Sequence, residues 1–289
     1  MPTVTTSAIW QLVMVVPENV QGYRSDHITW GKPDAEGRAA GLKFTGATTE
    51  APLDGREFTV GTVTIDNFAR EGAGALEHCP MRLDIQLEVE GGPSQTFTPY
   101  IDYNSVNDQE QDSDDTVVVH RYPTGDTVTL DGVPYTLSLC GFPTGRDEPP
   151  ADAVHIPEGQ SRTVELRAVL VRSDRLDIAI RTVRFKGEVA RTQADEYIEI
   201  VNRSAAMAPA DGWVVNAGQD GQDFVFPAGT GALTPGIPVR VYTDEVHPAW
   251  GGHSFGRRSG IWNDAGDVAE IRNRKGTVIA RYAYGNAAP

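Results

Sequence analysis

The sequence predicts an all-β chain folded as two β-sandwich-like domains. Three observations carry that prediction. Apolar residues recur with a period of two, turn-forming residues cluster between the alternating runs, and no dozen-residue stretch carries a helical stripe. A length of 289 residues also exceeds what one small core requires and suits two domains of average size.

Along the chain, the first clear strand is Arg82-Leu83-Asp84-Ile85-Gln86-Leu87-Glu88-Val89, in which every second residue is apolar. Such a pattern buries one face of a strand and leaves the other in water. It recurs in the run from Thr163 to Val171, in Tyr197-Ile198-Glu199-Ile200-Val201 and in Val239-Arg240-Val241-Tyr242. Asp54-Gly55, Gly91-Gly92-Pro93, Asp131-Gly132, Pro235-Gly236 and Lys275-Gly276 supply turn chemistry between these runs. Residues 66–76 come closest to a helix, but glycine and proline breakers lie in and around them.

Charge marks a boundary. Residues 1–172 hold 12 Lys and Arg against 26 Asp and Glu, whereas residues 173–289 hold 13 against 14. The change coincides with Arg172-Ser173-Asp174-Arg175, which interrupts the apolar runs, so domains of 1–174 and 175–289 are expected. The acidic first half repels nucleic acid and anionic lipid. The second half is far less basic than a nucleic-acid-binding domain, so nucleic acid is not an expected partner. A composition of 39% hydrophobic and 22% charged residues is that of a soluble folded chain. No apolar run approaches the roughly 18 residues of a spanning helix, so no membrane span is expected. The stretch Ile9–Val16 lacks the basic flank and cleavage site of a signal peptide. The expectation is a cytoplasmic protein or one exported by a non-classical route.

Cys79 and Cys140 both lie in the first half. A buried pair of thiols is one reading, and a single disulfide is the alternative if the protein meets an oxidising compartment. Neither has a second Cys or His nearby, as zinc would require.

Two sets of motifs resemble known families. Asp195-Glu196-Tyr197-Ile198-Glu199-Ile200-Val201-Asn202 is followed by Gly212-Trp213, Phe224-Val225-Phe226-Pro227, Leu233-Thr234-Pro235-Gly236, Val239 to Thr243 and Ile261-Trp262-Asn263-Asp264-Ala265-Gly266-Asp267, with a closing strand ending in Tyr284-Gly285. These blocks, over roughly residues 180–286, resemble a lamin-tail domain of the bacterial type. The resemblance implies an immunoglobulin-like sandwich used for recognition or tethering. Tyr197, Trp213, Phe226 and Trp262, with Ile200 and Phe224, supply large apolar bodies expected in its core. In the first half, Ile28 to Pro33, Leu42 to Gly46, Phe58 to Val63 with Asn67, and Gly132 to Leu137 with Gly141-Phe142 resemble the choice-of-anchor K domains of bacterial surface proteins. That family implies no catalytic residues.

Catalytic patterns are weak. Gly252-His253-Ser254-Phe255-Gly256 fits G-x-S-x-G, but the residues after it start no helix and no histidine follows His253. The six histidines include no pair at metal-binding helical spacing, and no phosphate-binding glycine loop is present. The basic residues Arg257, Arg258, Arg272, Arg274 and Lys275 are read as a solvated surface. The densest local feature is acidic: Asp102, Asn104, Asn107, Asp108, Asp112 and Asp114, with Glu110 and Asp115. These oxygen donors suit Ca²⁺, which takes six to eight oxygens, although counting from Asp108 puts Ser113 where an EF-hand needs glycine. The first reading is a solvated acidic loop joining two strands, and a Ca²⁺ site, the one cofactor the sequence offers, is the alternative.

The sequence as a whole points to a non-enzymatic binding or scaffolding protein, a structural or tethering subunit of a larger assembly with a protein partner. The alternatives are a carbohydrate- or surface-adhesion module, with Trp10, Trp30 and Trp250 lining its face, and an unrecognised hydrolase.

Overall fold

The structure is a computed structural model and describes residues 1–13, 16, 19–68, 78–105, 114–145, 148–189 and 191–288. Among these residues every regular element is a strand, so no helix is long and apolar enough to cross a membrane. The chain divides into two compact units, Met1–Ser173 and Asp174–Pro289.

The first unit opens with β1 (Thr3–Leu12), β2 (His27–Trp30), β3 (Ala40–Gly46) and β4 (Thr48–Glu50). The long β5 (Phe58–Asn67) and β6 (His78–Val89) follow, then β7 (Ser94–Phe97), β8 (Tyr100–Asn104) and β9 (Asp115–Val119). It ends with β10 (Val128–Leu130), β11 (Val133–Gly141), β12 (Ala153–Ile156) and β13 (Gln160–Arg172). Antiparallel pairing gives one sheet in the order β12-β9-β8-β6-β1-β4, with β7 also on β6, and a second in the order β10-β11-β13-β5-β3-β2. Inward residues of both sheets form one core, including Trp10, Leu83, Ile85 and Leu87 from the first and Phe44, Val63, Ile65 and Leu137 from the second. Trp30 of β2 meets Tyr103 of β8 edge to face at 4.6 Å, which ties the two layers together. Gly61 leaves room for Phe44, whose ring would lie 2.4 Å from a Cβ at that position. Asp131 and Gly132 join β10 to β11 with φ of 49° and 76°, the doubly positive turn that matches strand twist.

The second unit contains β14 (Ile178–Arg184), β15 (Tyr197–Asn202), β16 (Ala208–Pro209), β17 (Val214–Asn216) and β18 (Asp223–Val225). After β19 (Ala232–Leu233) come β20 (Val239–Tyr242), β21 (His253–Ser254), β22 (Gly266–Arg272) and β23 (Val278–Gly285). Two four-stranded sheets, β14-β15-β20-β21 and β18-β17-β22-β23, enclose a core of their own, and β16 pairs with β19. This is an immunoglobulin-like sandwich. Trp213, Phe226 and Trp262 lie in the core, where they are 6%, 1% and 4% exposed.

The structure corrects two aromatic assignments. Tyr197 does not face the core. Ile198 and Ile200 do, so strand alternation turns Tyr197 to the opposite face, beside Tyr242 at 5.5 Å. Trp10 and Trp30, considered as adhesion residues, are buried in the first core, because the even-numbered positions of β1 and β2 point inward. Of residues 66–76, Asp66 and Asn67 end β5, and 69–76 lie outside the described residues.

Because the second unit has a separate core, residues 174–289 expressed alone are expected to unfold cooperatively. Trp262→Ala should lower the stability of that fragment by about 3–5 kcal/mol, the usual cost of emptying an aromatic core site. Chemical denaturation of the fragment and its variant checks both points, and a parent fragment without a cooperative transition would refute the independence of the unit.

Candidate binding site

The first candidate lies on the outer face of the first unit. In β8 the alternation sends Ile101 and Tyr103 inward and leaves Tyr100, Asp102 and Asn104 outward. Register places Tyr100 beside Arg82, Asp102 between Pro80 and Val118, and Asn104 between His78 and Thr116. The result is a cleft of about 560 Å³ lined by Pro80, Thr98, Tyr100, Asp102, His120 and Tyr122, among others. His120 Nε2 lies 2.9 Å from the Asp102 carboxylate, which makes the imidazole the donor. The His120 ring stacks near Tyr122 at 6.3 Å and 28°, and Arg82 Nε pairs with Asp84 at 2.6 Å.

Of the acidic stretch, Asp102 and Asn104 lie on β8 and Asp114 directly precedes β9, while Asn107, Asp108 and Asp112 lie outside the described residues. Asn104 Oδ1 is hydrogen-bonded to His78 Nδ1. Asp115 is turned inward, where the Tyr103 hydroxyl donates to its carboxylate. Among the described residues no group of three or more His, Cys, Asp or Glu is arranged to hold a metal ion. Cys79 and Cys140 are buried thiols in β6 and β11. Burial, together with the nearby Asp102 carboxylate, pushes the Cys79 thiol up to about 11, which keeps it protonated and unreactive at neutral pH.

In the second unit the motif strand β15 organises the loops around it. The Asp195 carboxylate accepts the N–H groups of Glu188 and Val189 at 2.8 and 2.9 Å. Burial would raise its pKa, but those N–H groups and Arg184 outweigh burial and hold it below the ordinary carboxylate value. Glu196, 1% exposed, accepts from the Thr243 hydroxyl at 3.0 Å and the Ile261 N–H at 2.9 Å. Glu199 pairs with Arg240 at 2.8 Å and with Arg181 at 3.3 Å. Asn202 donates to the carbonyls of Ala206 and Leu233 and accepts from Ser204. On the outer face, the Arg240 guanidinium lies between Tyr197 and Trp250, 4.2 and 3.5 Å from their rings. No linear motif announces that stack, because its members are far apart in sequence.

The remaining motifs have structural roles. Ser254 sits on β21, which pairs in parallel with β20, and its Oγ accepts the Gly256 N–H at 2.9 Å. His253 packs against Phe224 and Phe226 at 5.4 and 5.2 Å, and burial lowers its pKa. A nucleophile elbow requires a strand turning into a helix, and β21 leads instead to the loop before Trp262. Of the basic residues, Arg272 pairs with Glu270, Arg274 with Asp211, and Arg257 donates to the Gly221 carbonyl.

Glu196 yields a pH test. Burial raises its carboxyl above the ordinary 4.5, although the Ile261 N–H, the Thr243 hydroxyl and the Trp262 N–H oppose that rise. The folded state therefore holds this proton more tightly than the unfolded state. Its contribution to stability is fully present below the unfolded value of 4.5 and is lost as pH rises through the folded value. Glu196→Gln keeps an acceptor oxygen and should gain stability relative to the parent as pH rises above 4.5. Glu196→Ala orphans the donors and should cost about 1–3 kcal/mol. Melting curves across this range decide, and a flat difference between parent and Gln variant would contradict the assignment.

Comparison with known proteins adds one match. No curated protein matches the chain. Residues 172–286 match the model of the family described as Lamin Tail Domain. The second unit has the immunoglobulin-like fold of that family, whose members generally serve as binding or structural modules.

Proposed function

We propose that the protein is a non-enzymatic binding and scaffolding protein, in which the lamin-tail-like unit tethers the chain to a protein partner in a larger assembly and the acidic unit presents a ligand-binding face. The observation that supports this most is the use of the motif residues. Asp195, Glu196, Glu199 and Asn202 each hold a loop or a neighbouring strand through hydrogen bonds or ion pairs. Such polar groups are engaged in shaping a surface, and the G-x-S-x-G serine is bonded into a turn. The choice-of-anchor K resemblance of the first unit rests on its sequence motifs alone.

A fluorophosphonate probe tests the non-enzymatic part. The full chain should remain unlabelled, and the Ser254→Ala variant should behave identically. Labelling that disappears with Ser254→Ala would overturn the reading in favour of a hydrolase. Pull-downs with the full chain and with residues 174–289 as baits test the tether, and the same partner should be retained by both.

Calcium binding by the acidic segment is also proposed. Asn104 at the end of β8 and Asp114 just before β9 flank that segment, with Asp102 two residues back along β8, which supports the reading. Asp102 and Asn104 are already hydrogen-bonded to His120 and His78, so a cation there would share their oxygens with those hydrogen bonds. At free calcium one hundred times Kd, the folded first unit should gain about 2.7 kcal/mol. Thermal scans in calcium, magnesium and chelator check this, with Asp112→Asn plus Asp114→Asn abolishing the gain. Superimposable curves would leave a solvated acidic loop.

A further inference from the structure

The cleft beside β8 has a composition that points to its ligand. Tyr100 and Tyr122 both line it, and the two residues are 48% and 65% exposed. Large aromatic groups left in water at a concave site favour a partner with an apolar face. The backbone at both is anchored. The Tyr100 carbonyl accepts the His120 N–H at 3.1 Å. Tyr122 is restrained by the following Pro123, which forms a bridge with Ser138, and the next N–H, of Thr124, donates to the Leu137 carbonyl. A backbone that is already ordered adds little to the entropy lost when a ligand covers the rings.

The lining offers hydrogen-bonding groups and, among the described residues, no unpaired cation. Asp102 is hydrogen-bonded to His120, and Arg82 beside Tyr100 is ion-paired with Asp84. With His120 Nε2–H donating to one Asp102 oxygen, the other carboxylate oxygen and His120 Nδ1 are acceptors. They suit a ligand that carries hydroxyl donors. A polyproline segment has an apolar face too, but it offers carbonyl acceptors and no backbone N–H, so it meets these acceptors poorly. The surplus of 26 acidic over 12 basic residues in 1–172 also opposes uronic or phosphorylated ligands.

We infer that this cleft binds a neutral saccharide, with Tyr100 and Tyr122 packing on sugar C–H faces while Asp102 and His120 accept from sugar hydroxyls. This assignment rests on the reading of the first unit as a ligand-binding face.

The test uses the full chain in calorimetric titrations with cellohexaose, xylohexaose, mannohexaose and laminarihexaose, with hexagalacturonate as the charged comparison. A neutral oligosaccharide should bind, and hexagalacturonate should bind more weakly. Tyr100→Ala and Tyr122→Ala should each weaken binding about tenfold or more, the loss typical of a central aromatic contact, with an unchanged melting temperature. Tyr122→Phe should retain most of the affinity, because the ring face and not the hydroxyl makes the contact. Absence of binding by all four neutral probes overturns the proposal, as does binding that is indifferent to both alanine variants. A proline decapeptide and a hexalysine peptide are titrated in parallel. Tyrosine-dependent binding of either peptide with no neutral sugar bound removes the saccharide assignment while leaving the ligand-binding reading intact. The failure of both peptides and sugars counts against that reading as well.

Discussion

Moving β8 by one residue along its neighbours would carry Ile101 and Tyr103 into water and drive Asp102 and Asn104 into the core of the first unit. Side-chain direction in a strand repeats every two residues, so a slip of one position exchanges the faces completely. A buried carboxylate and a buried amide without partners together cost several kcal/mol, and two buried hydrophobes would be lost as well. That penalty fixes the pairing of β8 with β6 and β9. The cleft follows from it, because Tyr100, Asp102 and His120 share a face only in this register. The Trp30–Tyr103 contact depends on the same constraint, since Tyr103 reaches the opposite sheet only by pointing inward.

The second unit applies the constraint differently. Its motif strand β15 buries Ile198 and Ile200 in the middle, and the inward-facing Glu196 and Asn202 lie at or just beyond its ends. There the sheets give way to loops, whose backbone groups need partners that the ladder cannot supply. Glu196 serves the loop entering Trp262, and Asn202 serves the Ser204–Ala206 and Leu233 segments. Outward-facing Glu199 is nevertheless 4% exposed, because Arg181 and Arg240 close over it. Arg240 is itself covered by Tyr197 and Trp250. The polar motif residues thus act as internal fasteners, and their regular spacing reflects the geometry of a strand between two sets of loops.

The two units differ in charge. Residues 1–172 carry 26 acids against 12 basic residues. In the second unit, opposite charges are interleaved on the sheet faces, as in Arg272–Glu270 and Arg240–Glu199. A surface of that kind has little net field to attract or repel partners, so contacts would depend on shape and local hydrogen bonding.

The sequence by itself determined the strand class, the positions of the strands β6, β13, β15 and β20, and the core placement of Trp213, Phe226 and Trp262, since each depends on local alternation or on the bulk of one apolar residue. It also singled out Asp102, Asn104 and the motif acids, although not what they bond to. Only the tertiary structure decided that Tyr197 lies outside the core, that Trp10 and Trp30 are buried, and that Tyr100, Asp102, His120 and Tyr122 meet in one cleft. The physical reason is common to all of these. Alternation says that a strand has two faces, but which face is buried and which residues of other strands lie beside it depend on register and on the layer packed above, and those contacts join residues that are distant in the chain.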